Sequence, residues 1–307
     1  KGGPAFSFVI DVYFFFPLPL IFVIWYNMAG YSPIPLNHFF LERMFLMRTQ
    51  VKADLMLVLV TFFWGISYLL TDLALGELGP FTLNALRFLI AFAAGLLFFR
   101  RLRSPSRATL KLSLCTGAAL LSIYSFNTFG VKYTSLTNAG FLCAMTVVFT
   151  PLLDYLFFRT RPSRKLFVVL VMSVTGIALL TLSSALRPAL GDILCILCAV
   201  SNAAYLLITE RGVAGQEINA FQLGIYQQLF AGLGMLILSL IFETPALPRS
   251  PAVWGSVLIL ALFCTGAAFL IQAVALQYTT ASHVGVIFCL EPVFNSILAF
   301  FVAHEVL

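Results

Sequence analysis

The sequence predicts an all-α integral membrane protein organised as an inverted repeat, and three observations carry that expectation. The composition is 61% hydrophobic and 10% charged, with a mean hydropathy of +1.01, whereas soluble domains carry about 25% charged residues. Apolar runs near the roughly 20 residues that a bilayer requires recur along the chain. Segment Cys115 to Phe158 repeats as Cys264 to Phe301: both begin Cys-Thr-Gly-Ala-Ala, Tyr133-Thr134-Ser135 answers Tyr278-Thr279-Thr280, Gly140 answers Gly285, and Thr150-Pro151 answers Glu291-Pro292.

In chain order, residues 1–46 stand apart. The run from Phe6 to Trp25 is apolar but interrupted by Asp11, Pro17 and Pro19, and it lacks the form of a signal peptide. Met47-Arg48-Thr49-Gln50-Val51-Lys52 reads as an ordinary basic start before a first span, so residues 1–46 are expected to be an atypical, non-native or upstream extension. Nine spans follow at about 54–75, 80–99, 109–131, 136–158, 165–184, 190–209, 219–242, 252–277 and 281–303. Breaks between them are marked by Gly79-Pro80, the arginine-rich 100–107 segment, Arg161-Pro162-Ser163, Arg187-Pro188, Arg211-Gly212 and the segment from Pro245 to Pro251.

Basic residues set the orientation, because cytoplasmic connections hold an excess of them. Arg48 and Lys52 precede span 1; Arg100, Arg101, Arg103, Arg107 and Lys111 lie between spans 2 and 3; Arg159, Arg161, Arg164 and Lys165 lie between spans 4 and 5; Arg211 follows span 6. The other side holds Lys132, Arg187 and Arg249. The Met47 end is therefore expected in the cytoplasm. With five spans in the first half (47–186), the second half (187–307) starts on the opposite side, giving an inverted repeat of the kind transporters use. The formal charge of +6 is read as topology and not as a nucleic-acid surface, because the basic residues form no continuous patch. Six cysteines, at 115, 143, 195, 198, 264 and 289, all fall in apolar runs and read as buried thiols; Cys195 and Cys198 make a CxxC with no second pair beside it.

The residues also resemble a known family. Trp64-Gly65, Pro80 with Leu86-Arg87-Phe88, and Tyr133 to Ala139 are similar to motifs of the drug/metabolite transporter superfamily in its EamA branch. Further matches are Thr146 to Leu153, Arg161-Pro162-Ser163, Ala203-Ala204-Tyr205, Leu290-Glu291-Pro292-Val293-Phe294 and His304-Glu305. The resemblance covers about Met47 to Leu307. It implies ten helices in two inverted five-helix halves that move small organic solutes, by export, across a bacterial inner membrane through alternating access. It implies no cofactor. The tenth helix would follow His304-Glu305, so either the chain continues or residues 1–46 supply an extra span. Ser201 stands where the branch often has tryptophan.

Pathway residues are sought among polar groups inside spans, where exposure to lipid is costly. Glu291 is foremost: an ionised carboxylate there costs very roughly 2.5–3.5 kcal/mol on the lenient insertion scale. Pro292 removes a backbone donor beside it. Glu291 is read either as the carrier of a coupling proton or as a brace for the kink. Arg87 is read as an anchor for a substrate carboxylate or a gate partner of Glu291; the alternative is snorkelling outward, or pairing with Asp72 or Glu77. Trp64, Tyr68 and Tyr205 are candidate aromatic walls for an amphipathic solute. Tyr124, Asn127, Tyr226, Gln227 and Gln272 add neutral hydrogen-bonding groups, and helix-to-helix bonding is the other reading of each. Pro151, Pro292 and His283 are candidate coupling or gating positions, and Asp154 is placed beside Arg159 at the cytoplasmic interface.

Arg87 and the aromatics lean toward amino acids or related carboxylates. The partners expected are a small organic solute and the lipid bilayer, with a homodimer as a further assembly and no nucleic acid. An integral membrane enzyme acting on a lipid-linked substrate is the alternative, but it needs a convergent catalytic cluster that three histidines, at 38, 283 and 304, do not form. A channel would need symmetric carboxylates that one chain lacks.

Overall fold

A glycine and a proline, Gly79-Pro80, open the first sharp turn, and the rest of the architecture follows similar punctuation. The computed structural model describes residues 38–160, 166–168, 170–172, 174–175, 190–214 and 217–302. The chain divides into two compact units, Lys1–Arg48 and Thr49–Leu307. Of the expected extension, residues 38–46 are described, and they are helical.

The helices of eight residues or more are α1 (His38–Leu75), α2 (Pro80–Gly95), α3 (Arg107–Tyr133), α4 (Leu136–Ala144), α5 (Thr146–Phe158), α6 (Leu190–Val213) and α7 (Ala220–Phe242). After them come α8 (Pro251–Ala261), α9 (Ala268–Ala275), α10 (Ala281–Phe288) and α11 (Glu291–Val302). Among the described residues, eight helical runs are long and apolar enough to cross a membrane. The expected span at 165–184 lies mostly outside the described residues.

Side chains that can accept a bond from the first turn start many of these helices. Ser106, Ser135, Asn219, Ser250 and Thr280 accept from the backbone N–H of Thr109, Asn138, Gln222, Val253 and His283. Helix α2 has Pro80 at its start and only Gly79 as cap, so its free donors are met from elsewhere. Glu243, just past α7, accepts from Phe81 N at 2.9 Å, and from Thr82 N and Thr82 Oγ1 at 2.8 and 2.7 Å. Glu77, between α1 and α2, does the same for the approach to α8, accepting from Arg249 N at 2.7 Å and Ser250 N at 3.2 Å.

The Ser250 side chain foremost, and then these backbone bonds, hold the exposed Glu77 carboxyl below its usual range. A carboxyl with a lowered folded-state value contributes stability above its unfolded value, and that contribution is lost as pH falls through the folded one. The difference in thermal midpoint between wild type and Glu77→Gln in detergent is therefore expected to be present at pH 7 and to shrink as pH falls below the ordinary carboxylate range and through the lowered folded value.

Three expected spans are each two helices. The fourth breaks at Met145, between α4 and α5, and Pro151 sits inside α5. The ninth breaks at Cys289-Leu290, directly before Glu291-Pro292. The two prolines of the sequence repeat thus lie at different distances from their breaks. The eighth carries a π-helical turn, Leu262–Ala267, between α8 and α9.

Helix α6 packs along α3, and α7 packs along both α2 and α3; α11 lies on α4, and α10 on α5. Hydroxyls inside the bundle bond back to their own helix, as Ser113 does to Thr109 O and Thr150 to Thr146 O, because hydrocarbon offers no other partner. Large apolar side chains such as Leu97, Phe157 and Leu240 stand exposed on the outside, as a lipid-facing surface requires.

Candidate functional site

The π turn is where the site is built. In an α-helix the Ala268 N–H would bond to Cys264 O; here it bonds to Phe263 O and Thr265 O. The Cys264 carbonyl is taken instead by the Trp64 indole Nε1 of α1 at 2.9 Å and by Arg87 Nη2 of α2 at 3.4 Å. Thr265 Oγ1 donates to Leu260 O, five residues back, and accepts from Arg87 Nε. Single π turns of this kind concentrate at functional sites.

Directly beyond the turn, Phe269 is a hub of rings: Trp64 at 5.5 Å between centroids, Tyr205 at 5.8 Å, Tyr124 at 5.9 Å and Phe88 at 6.4 Å. Beside it lies a cavity of about 40 Å³, lined by Trp64, Ser67 and Tyr68 of α1, Ile123, Tyr124 and Asn127 of α3, Cys143 of α4, Cys198 and Asn202 of α6, Phe269 of α9 and Glu291 of α11. Tyr68 Oη donates to Glu291 Oε1 at 2.8 Å, so the carboxylate that opens α11 is held by the C-terminal part of α1. Asn127 Nδ2 donates to Cys143 Sγ at 3.4 Å, and Asn202 Nδ2 to Thr146 Oγ1 at 3.4 Å. One water needs about 10–15 Å³ on this scale, so the cavity in this conformation is sized for a few waters.

Of the residues singled out from sequence, Trp64, Tyr68, Tyr124, Asn127 and Glu291 meet at this cavity. Arg87 does not reach its wall. It is buried, with its guanidinium carbon 4.5 Å from the centroid of the Tyr124 ring and Nη2 3.3 Å from Tyr124 Oη. Outward snorkelling is excluded by that burial, and Glu77 is engaged with the start of α8; the acceptors that hold Arg87 are a threonine, a tyrosine and a carbonyl.

Tyr205 Oη donates to Gln227 Oε1 at 3.1 Å, behind Phe269. Tyr226 Oη donates to Leu102 O at 3.0 Å, at the arginine-rich end and away from the cavity. His283 Nε2 lies 3.2 Å from Asp54 Oδ1, joining the start of α10 to α1. Pro151 is buried in α5 and Pro292 follows Glu291 on the inner face of α11. Asp154 is bound by Arg211 at 2.7 Å; Arg159, five residues on, terminates α5 in a left-handed conformation, φ 57°.

Gln272, one turn beyond Phe269 on α9, is fully buried, and among the described residues neither end of its amide has a hydrogen-bond partner; Gln227 Nε2 also lacks one. A buried unsatisfied amide costs about 1–3 kcal/mol, so Gln272→Met is expected to raise the thermal midpoint in detergent. If that amide serves the pathway, the same variant slows transport; an unchanged midpoint would show that Gln272 is already satisfied.

Sequence reasoning missed Ser67, Ile123, Cys143, Cys198, Asn202 and Phe269. Asn202 was detectable by the criterion that found Asn127, a polar side chain inside a span and one turn from a candidate tyrosine. The others carry no such mark.

Comparison with known proteins gives a consistent picture. The model of a family described as "EamA-like transporter family" matches residues 51–182 and again 189–307. A protein of Archaeoglobus fulgidus named "Uncharacterized transporter" is 29% identical over 261 residues, covering 84% of this chain and 80% of the relative. "Uncharacterized transporter YetK" of Bacillus subtilis is 26% identical over 276 residues, covering 85% and 82%. A protein of known crystal structure superposes with a TM-score of 0.68 at 19% identity over 84% of this chain and 90% of its own, which is a likeness of fold.

Proposed function

Because the chain belongs to the EamA-like transporter family, we propose that it is a secondary transporter, an exporter of small organic metabolites, coupled to protons through Glu291. The observation that carries this reading is the Tyr68–Glu291 bond. It joins α1, from the first matched segment, to α11, from the second, on the wall of a cavity to which both segments contribute.

An ionised Glu291 accepts from the Tyr68 hydroxyl. A protonated one can donate, and it carries no charge to hold in place against hydrocarbon. Proton exchange therefore changes the bond between the two segments at the point where they enclose the cavity. Alternating access then follows from opening that contact to one side at a time, and a metabolite enters only when the lining helices part, since the present cavity is too small for one.

We read the two segments as the inverted five-helix halves of the sequence repeat, with the basic connections and the Met47 end in the cytoplasm of a bacterium. The test is uptake into liposomes of a pooled panel of labelled amino acids and other metabolites, with and without an imposed pH gradient. Gradient-dependent uptake of one chemical class is expected. No uptake of any compound by folded protein would contradict the reading.

A further inference from the structure

Among the described residues, Glu291 is the one charged side chain on the cavity wall. The remaining polar groups there, including Ser67, Asn127 and Asn202, are neutral, and the broad surfaces are aromatic: Trp64, Tyr68, Tyr124 and Phe269. The lean toward carboxylates depended on Arg87 facing the solute. Its guanidinium instead lies against Tyr124, with Nε bonded to Thr265 and Nη2 to Tyr124 Oη and the Cys264 carbonyl.

An anionic group entering this cavity would meet a carboxylate of like charge with little water to screen it. A cationic one would meet a carboxylate together with aromatic faces, the combination that binds organic ammonium ions.

The geometry points to an amine as the solute: we propose that the cavity, once its lining helices part, takes a small amphipathic ammonium ion, its charged nitrogen on Glu291 and its apolar part against Trp64 and Phe269. The inference rests on the transporter reading of the same cavity. Proton and ammonium then occupy one carboxylate in turn. The groups facing that carboxylate are Tyr68 from α1, Tyr124 from α3 with Arg87 of α2 behind it, Cys143 from α4 and Cys198 from α6, while α9 presents Phe269.

The test uses the full chain in lipid nanodiscs and three probes of matched shape: phenethylamine, 2-phenylethanol and 3-phenylpropionate, with binding followed by calorimetry. Phenethylamine is expected to bind at least about tenfold more tightly than either other probe, a difference of about 1.4 kcal/mol. Its affinity should weaken as acid protonates the site. Glu291→Asp, which keeps the carboxylate, should retain the preference, and Glu291→Gln, checked for monodispersity by size-exclusion chromatography, should lose it.

Equal or tighter binding of 3-phenylpropionate, or an amine preference that survives Glu291→Gln, would overturn the proposal. The underlying reading fails separately. Amine binding without movement into liposomes would remove transport and keep the amine site; transport of carboxylates or neutral solutes with no amine bound would do the reverse.

Discussion

Glu291→Gln is expected to lower pH-gradient-driven uptake by on the order of a hundredfold, the scale of losing a step that requires proton exchange, while the protein still folds. The substitution discriminates because of what it preserves. A glutamine carbonyl can accept from Tyr68 Oη as the carboxylate does at 2.8 Å, and the side chain has nearly the same volume, so a brace for the kink before Pro292 would survive it. What an amide cannot do is take up and release a proton. A variant with normal thermal stability and normal gradient-driven uptake would assign Glu291 to the brace. Tyr68→Phe removes the bond and leaves the carboxyl, so it should weaken coupling less than Glu291→Gln does.

Arg87→Lys has the second-largest expected effect, and it is an effect on the fold of the site before it is one on the solute. Lysine keeps the charge but offers a single ammonium where arginine uses Nε for Thr265 and Nη2 for both Tyr124 and the Cys264 carbonyl. A hydrogen bond to a charged group contributes about 1.5–3 kcal/mol, so losing part of the fork is expected to lower the thermal midpoint in detergent measurably. The loss also frees the π turn that positions Phe269 and, through the Cys264 carbonyl, Trp64. Transport should fall together with the midpoint. A large drop in transport at an unchanged midpoint would instead place Arg87 in contact with the solute.

Eight of the nine expected membrane spans were legible because hydropathy reports them directly, and the cap residues Ser106, Ser135, Asn219, Ser250 and Thr280 stand at helix starts, where such residues are favoured. Glu291 was legible for a different physical reason: a carboxylate in an apolar run is conspicuous wherever it points. Arg87 was equally conspicuous, yet its partner was not, because the acceptors that hold it include a backbone carbonyl exposed by a π turn, and a carbonyl leaves no mark in a sequence. Phe269, Cys143 and Cys198 reach the cavity through non-local packing, and one phenylalanine among 32 carries no sign of which neighbour it meets. Tyr226 shows the converse, a polar residue inside a span that serves a nearby connection, at Leu102 O, and not the cavity.

Solute-dependent proton movement is the most direct test of the central claim. Liposomes containing the protein and a trapped pH-sensitive dye are mixed with the solute that the uptake panel identifies, and the internal pH is followed. The account predicts a pH change that requires the solute, saturates with it and is absent in Glu291→Gln liposomes containing the same amount of folded protein. Solute entering wild-type liposomes with no movement of protons would contradict it.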